Sequence, residues 1–363
     1  MALKCGIVGL PNVGKSTFFN CISENKAQSA NFPFCTIEPN IGMAYVQDDR
    51  LDKLSVLVNP ARTMPATIEI VDIAGLVKGA NKGEGLGNKF LSNIRETDAI
   101  IHLVRCFENS NISHVEGSID PVRDKDIIEL ELQLRDLETL NKRILKLEKT
   151  IKSGDKIIKQ EYDLILECKK FLESGNNVRD FKCEDRDVIN QLFLLTDKPV
   201  LYVCNVDEVF FKTNKNKHVD SLLSNLHQND NVLVISAQIE SEISELETYE
   251  EKQFFLKDIG LKETGVNKIL RYSYKMLRLI TFFTAGPQEV KAWTVSEGDK
   301  ITVAAGKIHS DIEKGFIKAD VIKFQDFIFH KSEFSCRENG KINVEGKNYI
   351  VCDGDIIHFK FKV

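Results

Sequence analysis

The sequence has no surplus of basic charge, no close cysteine pairs, no long apolar run and no internal repeat, and each lack excludes something. Its 363 residues carry 49 lysines and arginines against 54 acids, a formal net charge of −5. That balance argues against a broadly basic coat for nucleic acid, although it leaves a local basic patch open. Nine cysteines are scattered from Cys5 to Cys352, an odd number with no C-x-x-C spacing. A disulfide framework or a zinc site is therefore not expected, and a reducing compartment is. No segment approaches the ~20 apolar residues that a membrane span needs. The start, Leu3-Lys4-Cys5-Gly6-Ile7-Val8, has neither a charged leader region nor a long apolar core. The expectation is a cytoplasmic protein with no membrane partner. What is present is ordinary for a globular chain: 42% hydrophobic and 28% charged residues, at a length that predicts two or three domains.

Short apolar runs recur at Cys5–Gly9, Ile41–Val46, Thr67–Val71, Ala99–Val104, Val200–Cys204 and Val232–Ile235. Helical patterns or long connections separate most of them, which predicts an α/β domain with a mainly parallel sheet. Between Ile127 and Asp197 the alternation stops. Leu130, Leu134, Leu137, Leu140, Ile144, Leu147 and Ile151 follow spacings of three and four. After Ser153-Gly154-Asp155 the spacing resumes at Ile158, Tyr162, Ile165, Cys168 and Leu172. Two such stripes joined by a glycine turn predict an antiparallel helical hairpin. It is read either as a structural arm or as a partner-docking arm. Beyond Leu277, short strands are expected at Ile280–Thr284, Val290–Val295, Lys300–Val303, Phe316–Ile322, Asn348–Val351 and Ile356–Phe361. Aromatics in this β-rich module suit core packing or, alternatively, stacking on RNA bases.

Gly9-Leu10-Pro11-Asn12-Val13-Gly14-Lys15-Ser16 fits G-x-x-x-x-G-K-S, between an apolar strand and a plausible helix starting at Thr17. That context makes it a phosphate cradle: backbone N–H groups of Asn12, Val13, Gly14, Lys15, Ser16 and Thr17 point inward, and the helix N-terminus adds partial positive charge. Lys15 should reach the β- and γ-phosphates and act in catalysis, and the Ser16 hydroxyl should ligate Mg²⁺. Asp72-Ile73-Ala74-Gly75 ends a second strand, placing Asp72 as the metal carboxylate and the Gly75 N–H toward the γ-phosphate. Thr36, between the two motifs, is a third candidate metal ligand. A purine nucleoside triphosphatase follows.

Two departures separate it from an ordinary GTPase. Leu76 stands where a water-orienting glutamine is usual, and the next stretch, Lys78–Asn88, is rich in glycine. Asn205-Val206-Asp207-Glu208 replaces N-K-x-D, so the groups that hold guanine are altered. Asn205, Val206 and Glu208, with Ser236, Ala237 and Gln238 at the next strand's end, are the candidate base contacts.

With these residues in place, the chain resembles the YchF subfamily of Obg-like P-loop proteins. The likeness spans the whole length and includes Gly9–Ser16, Phe32–Asn40, Asp72–Asn88, Ile94–Ala99, Val104–Glu108, Asn205–Glu208, Ala292-Trp293-Thr294, Glu313–Phe316 and Asp353–Phe359. The resemblance implies a discontinuous Ras-like nucleotide domain at 1–127 and 197–278, a helical coiled-coil insertion at 128–196, and a ubiquitin-like (β-grasp) TGS domain at 279–363. It also implies ATP binding at least as good as GTP binding; Mg²⁺ is the expected cofactor and a monomer the expected state. The implied partner is the ribosome, chiefly the large subunit; RNA contact through the TGS domain or the arm is an alternative read from the residues. His114 matches a family histidine proposed to assist hydrolysis, and imidazole suits that task near neutral pH. The expected function is a ribosome-associated ATPase switch in translation or stress. Two rivals are a GTP-specific enzyme of the same fold and a nucleotide-gated scaffold whose hydrolysis is incidental.

Overall fold

The computed structural model describes residues 3–24, 41–73, 93–151, 155–228 and 230–362. The chain divides into two compact units: Met1–Ala2, Met43–Glu69 and Asn267–Val363 form one, Leu3–Gly42 and Ile70–Val266 the other.

The larger unit is an α/β layer built on parallel strands. β1 (Lys4–Val8) leads into α1 (Lys15–Glu24). Next in the chain come β2 (Ile41–Val46), α2 (Asp49–Val58), β3 (Arg62–Met64) and β4 (Ala66–Asp72), of which Met43–Glu69 belongs to the smaller unit and the chain re-enters the larger one at Ile70. The end of β4, then β1, β5 (Ala99–Arg105), β6 (Val200–Asn205) and β7 (Asn231–Ile235) lie side by side in that order. β1–β5, β5–β6 and β6–β7 are parallel. Every residue of β5 and β6 is buried, as expected of strands covered on both faces. Their carboxyl ends point to one edge, where open parallel sheets collect ligands.

Between β5 and β6 the chain leaves the sheet as a helical hairpin. Asp120 caps α3 (Pro121–Thr150) by accepting the Arg123 N–H at 3.1 Å, and proline fills the first turn, where its missing N–H costs nothing. α4 (Lys156–Glu173) starts at Asp155, which accepts from Ile157 N at 2.8 Å. Tyr162 reaches Glu148, Arg143 Nε donates to Glu161 at 2.8 Å, and Gln133 donates to Asn177 at 3.0 Å. Glu148 and Arg143, late in α3, meet the start of α4, whereas Gln133, early in α3, meets Asn177 just past the end of α4, so the helices are antiparallel. The seam is Leu140, Ile144 and Leu147 against Ile165, Cys168 and Leu172. The expected stripe holds from Leu137 on, but Leu130 and Leu134 face solvent. There α3 turns Ile128, Leu132, Gln133 and Asp136 inward. Asp136 is buried because it accepts the Leu195 and Thr196 N–H groups at 2.8 and 2.7 Å.

The smaller unit has a mixed sheet of order β11-β10-β12-β8-β9-β3, with β8 at Leu279–Ala285, β9 at Glu289–Ser296, β10 at Phe316–Lys323, β11 at Asn343–Glu345 and β12 at Asp355–Phe361. β3 joins β9 in parallel register, Arg62 opposite Glu289 and Met64 opposite Lys291. The expected strand at Lys300–Val303 is instead the start of α5 (Ile301–Ile308), whose Ile301, Ala304 and Ala305 face the core at helical spacing. Asn348–Val351 contributes one isolated bridge, Lys300 to Ile350. Three further helices, Ser310–Lys314, Phe324–His330 and Glu333–Glu338, add to the strands expected from the sequence. Phe282, Phe316 and Phe359 fill the core, whereas Phe329 and Phe334 are exposed. Among the described residues no helix is long and apolar enough to cross a membrane.

Candidate functional site

The site begins at the carboxyl end of β1. Between β1 and α1 the chain makes a tight loop with Asn12 at φ 65° and Gly14 at φ 95°. A side chain at Gly14 would be strained at that angle, and its Cβ would meet Asn205 Nδ2. A Cβ on Gly9 would lie 2.6 Å from the Leu103 carbonyl oxygen of β5. The glycines thus answer to the backbone angle and to close approach of neighbouring strands, and α1 starts directly at Lys15, its free N–H groups facing the loop.

Lys15 Nζ is paired with the Asp72 carboxylate at the end of β4, both side chains mostly enclosed. A strand end and a helix start, far apart in sequence, therefore bring one cation and one anion to the same point. The Ser16 and Thr17 side chains are exposed beside it.

Asn205, at the end of β6, joins this cradle to the next loop. Its Nδ2 donates to the Val13 carbonyl at 2.8 Å and its Oδ1 accepts from Ala237 N at 2.9 Å. Asn205 is buried, so both bonds form away from water and hold two loops in register. Ser236 caps the helix Ala237–Glu245, its hydroxyl accepting from Ile239 N. Gln238 is exposed on that helix and donates to Glu242. Val206 is buried among Val104, Cys106, Cys204 and Leu222, so its side chain belongs to the core. Glu208 is exposed and its side chain makes no capping bond. Thr36, Gly75, Leu76 and Lys78–Asn88 lie outside the described residues.

Arg105, which the sequence offered only as part of the family-like stretch Val104–Glu108, and Asp124, which it did not single out, organise the His114 loop. Arg105 closes the buried strand β5 and is 1% exposed. Its guanidinium donates to the carbonyls of Phe107 and Asn109 at 3.2 Å, Ile112 at 3.1 Å and Ser113 at 3.4 Å. It also stacks 4.5 Å over the Phe107 ring. Burial lowers its pKa, and the Asp124 charge opposes that shift. One fixed fork of donors thereby shapes the turn. Asn12 Nδ2 donates to the same Ser113 carbonyl at 3.2 Å, linking this loop to the phosphate loop. His114 follows. Its Nδ1 accepts from Glu116 N at 3.1 Å, and its Nε2 lies 2.8 Å from Asp124 Oδ2. An acceptor at Nδ1 places the ring proton on Nε2, which donates to the carboxylate. The signal for Arg105 was a charged residue ending a strand that is apolar apart from His102. Asp124 reads in sequence as a first-turn acid of α3, favourable for the helix dipole alone.

Residues 4–149 match a family model described as a 50S ribosome-binding GTPase, MMR_HSR1, and residues 279–362 match YchF-GTPase_C, described as a protein of unknown function (DUF933). The chain is 50% identical over 367 residues to the ribosome-binding ATPase YchF of Bacillus subtilis (strain 168), covering 100% of both. It is 50% identical over 366 residues to the protein of that name in Escherichia coli O157:H7, again covering 100% of both. It is 46% identical over 368 residues to Obg-like ATPase 1 of Gallus gallus, covering 99% of this chain and 92% of that one. Among solved structures, the YchF GTPase of Schizosaccharomyces pombe superposes with a TM-score of 0.90 at 38% identity, covering 99% of this chain and 97% of that chain. A GTP-binding protein from Pyrococcus horikoshii OT3 shares the fold, with a TM-score of 0.61 at 20% identity.

Proposed function

Because the chain belongs to the YchF family of Obg-like ATPases, we propose that it is a ribosome-associated hydrolase that converts ATP to ADP and phosphate and acts as a nucleotide-dependent switch. The observation that carries the reading is the meeting of Lys15 and Asp72 at the mouth of the phosphate loop. In the pair the two charges offset each other. A triphosphate offers Lys15 a stronger anion, and Asp72 is released toward a cation.

Ser16 and Asp72 are hard oxygen donors beside the cradle, the ligand chemistry that suits Mg²⁺, and Thr36 would complete the set. A magnesium ion bound there would offset the negative charge that gathers on the β- and γ-phosphates. The protein's own share is to hold the phosphates on backbone N–H groups from Asn12 to Thr17 and to supply the Lys15 cation. Asn205 keeps Val13 and Ala237 in register, so phosphate and base are gripped together. For the base, an exposed Glu208 and a buried Val206 replace the groups that select guanine, which supports ATP binding at least as strong as GTP binding. His114 is the proposed group that orients the attacking water, since Leu76 has no polar atom to do so.

Calorimetric titration of the Mg²⁺-loaded protein with ATP and with GTP tests the nucleotide. Equal or tighter ATP binding is expected, and a thousandfold preference for GTP would overturn the reading. The rival in which hydrolysis is incidental to a nucleotide-gated scaffold draws on the enclosed position of His114. A variant that binds ATP without cleaving it and still associates with ribosomes in every assay would favour that rival.

A further inference from the structure

His114 is held where it cannot serve a water molecule. Its side chain is 4% exposed and that of Asp124 3%. An imidazole that orients or deprotonates water must present a free lone pair. Here the lone pair of Nδ1 is taken by Glu116 N–H, and the Nε2 proton is given to Asp124. The Glu116 bond is local to the turn and moves with it. The Asp124 bond reaches out of the loop to the first turn of α3.

The carboxylate is itself fixed. Its other oxygen accepts from Arg123 Nη2 at 2.9 Å and Nε at 3.2 Å, and Arg123 also grips Ser118 through the carbonyl and hydroxyl oxygens. The loop is thus pinned at its start by Arg105 and at its end by Arg123, with His114 between the two pins. Its central turn is open: a Cβ added to Gly117, which sits at φ 76°, would meet no atom within 4 Å, and Val115 is about half exposed.

We propose that Asp124 is a positioning residue that stows His114, so that hydrolysis requires the Nε2–Asp124 bond to open and the imidazole to swing toward the nucleotide. The proposal rests on the hydrolytic role of His114 advanced above. Because Asp124 sits on the first turn of the hairpin, strain on α3 reaches His114 directly, and through Ser113 it reaches Asn12 of the phosphate loop.

The test is single-turnover and steady-state ATPase kinetics of Asp124→Asn, His114→Ala and the double variant. Asparagine still accepts from Nε2 but without charge assistance, so the bond weakens while the side-chain volume stays. Asp124→Asn should raise kcat about three- to tenfold with KM unchanged, and the gain should vanish in the His114→Ala background. A folded Asp124→Asn protein with kcat at or below wild type overturns the proposal, as does an equal gain without His114. If His114→Ala alone turns over as fast as wild type, it is the hydrolytic role that fails. A second reading needs no variant. In the native protein, carbethoxylation of His114 by diethylpyrocarbonate should be far slower than that of the exposed His309, and equal rates would sink the stowed state.

Discussion

Gly14 meets two demands at once, a positive φ and contact with Asn205 Nδ2. Gly14→Ala should therefore weaken ATP binding at least tenfold through both the angle and the displaced asparagine, read by calorimetry. Asn205→Ala leaves the Val13 carbonyl and the Ala237 N–H without their buried partner, at about 1–3 kcal/mol for each group. Its ATP dissociation constant should rise by about one to two decades, and a value within twofold of wild type would show that the bridge carries no binding energy. The phosphate motif was legible from the sequence because its spacing is local. Arg105 was not, because its importance lies in four carbonyls that approach only after the 107–113 turn has folded over it. Arg105→Lys keeps the charge but loses the fork. It should lower the thermal midpoint and speed amide exchange across 107–113.

The first helix of the hairpin, α3, offers a contrast along its own length. Leu140 is fully buried in the seam and Leu130 is more than half exposed. Leu140→Ala should cost about 2–5 kcal/mol of unfolding free energy and Leu130→Ala under about 0.5, measured by urea titration. Equal costs would mean that the arm does not pack as described. Periodicity found the hairpin because both helices bury one stripe over many turns. It missed the inward turn of Gln133 and Asp136, since polar residues are buried only where partners such as Leu195 N and Asn177 await them. The same limit explains α5. Ile301-Thr302-Val303 is β-branched and reads as a strand, and only the sheet beneath it turns Ile301, Ala304 and Ala305 to one side.

For the molecule as a whole, acid should be more damaging than its balanced charge suggests. His102 is buried in β5 beside the Tyr202 ring, and burial pulls its pKa down to about 4, with the Glu129 charge opposing. The unfolded chain binds that proton near 6.5, so the native state loses stability as pH falls from about 6.5 toward 4, by about 3 kcal/mol in all. His102→Phe should flatten that part of the urea-midpoint profile, and an unchanged slope would refute the assignment. In the smaller unit, Arg50 donates to Asp353 at 2.7 Å and to Asp48 while lying over Phe283, and β3 lengthens the sheet at β9. Arg50→Ala should speed amide exchange around Asp353, some three hundred positions away in sequence. Residues 43–69 are thus spliced from the first fifth of the chain into a body made chiefly of its last quarter. A gene fragment beginning at codon 279 would be born without its edge strand and its arginine, so a protein made from it should melt below the same module in the whole chain.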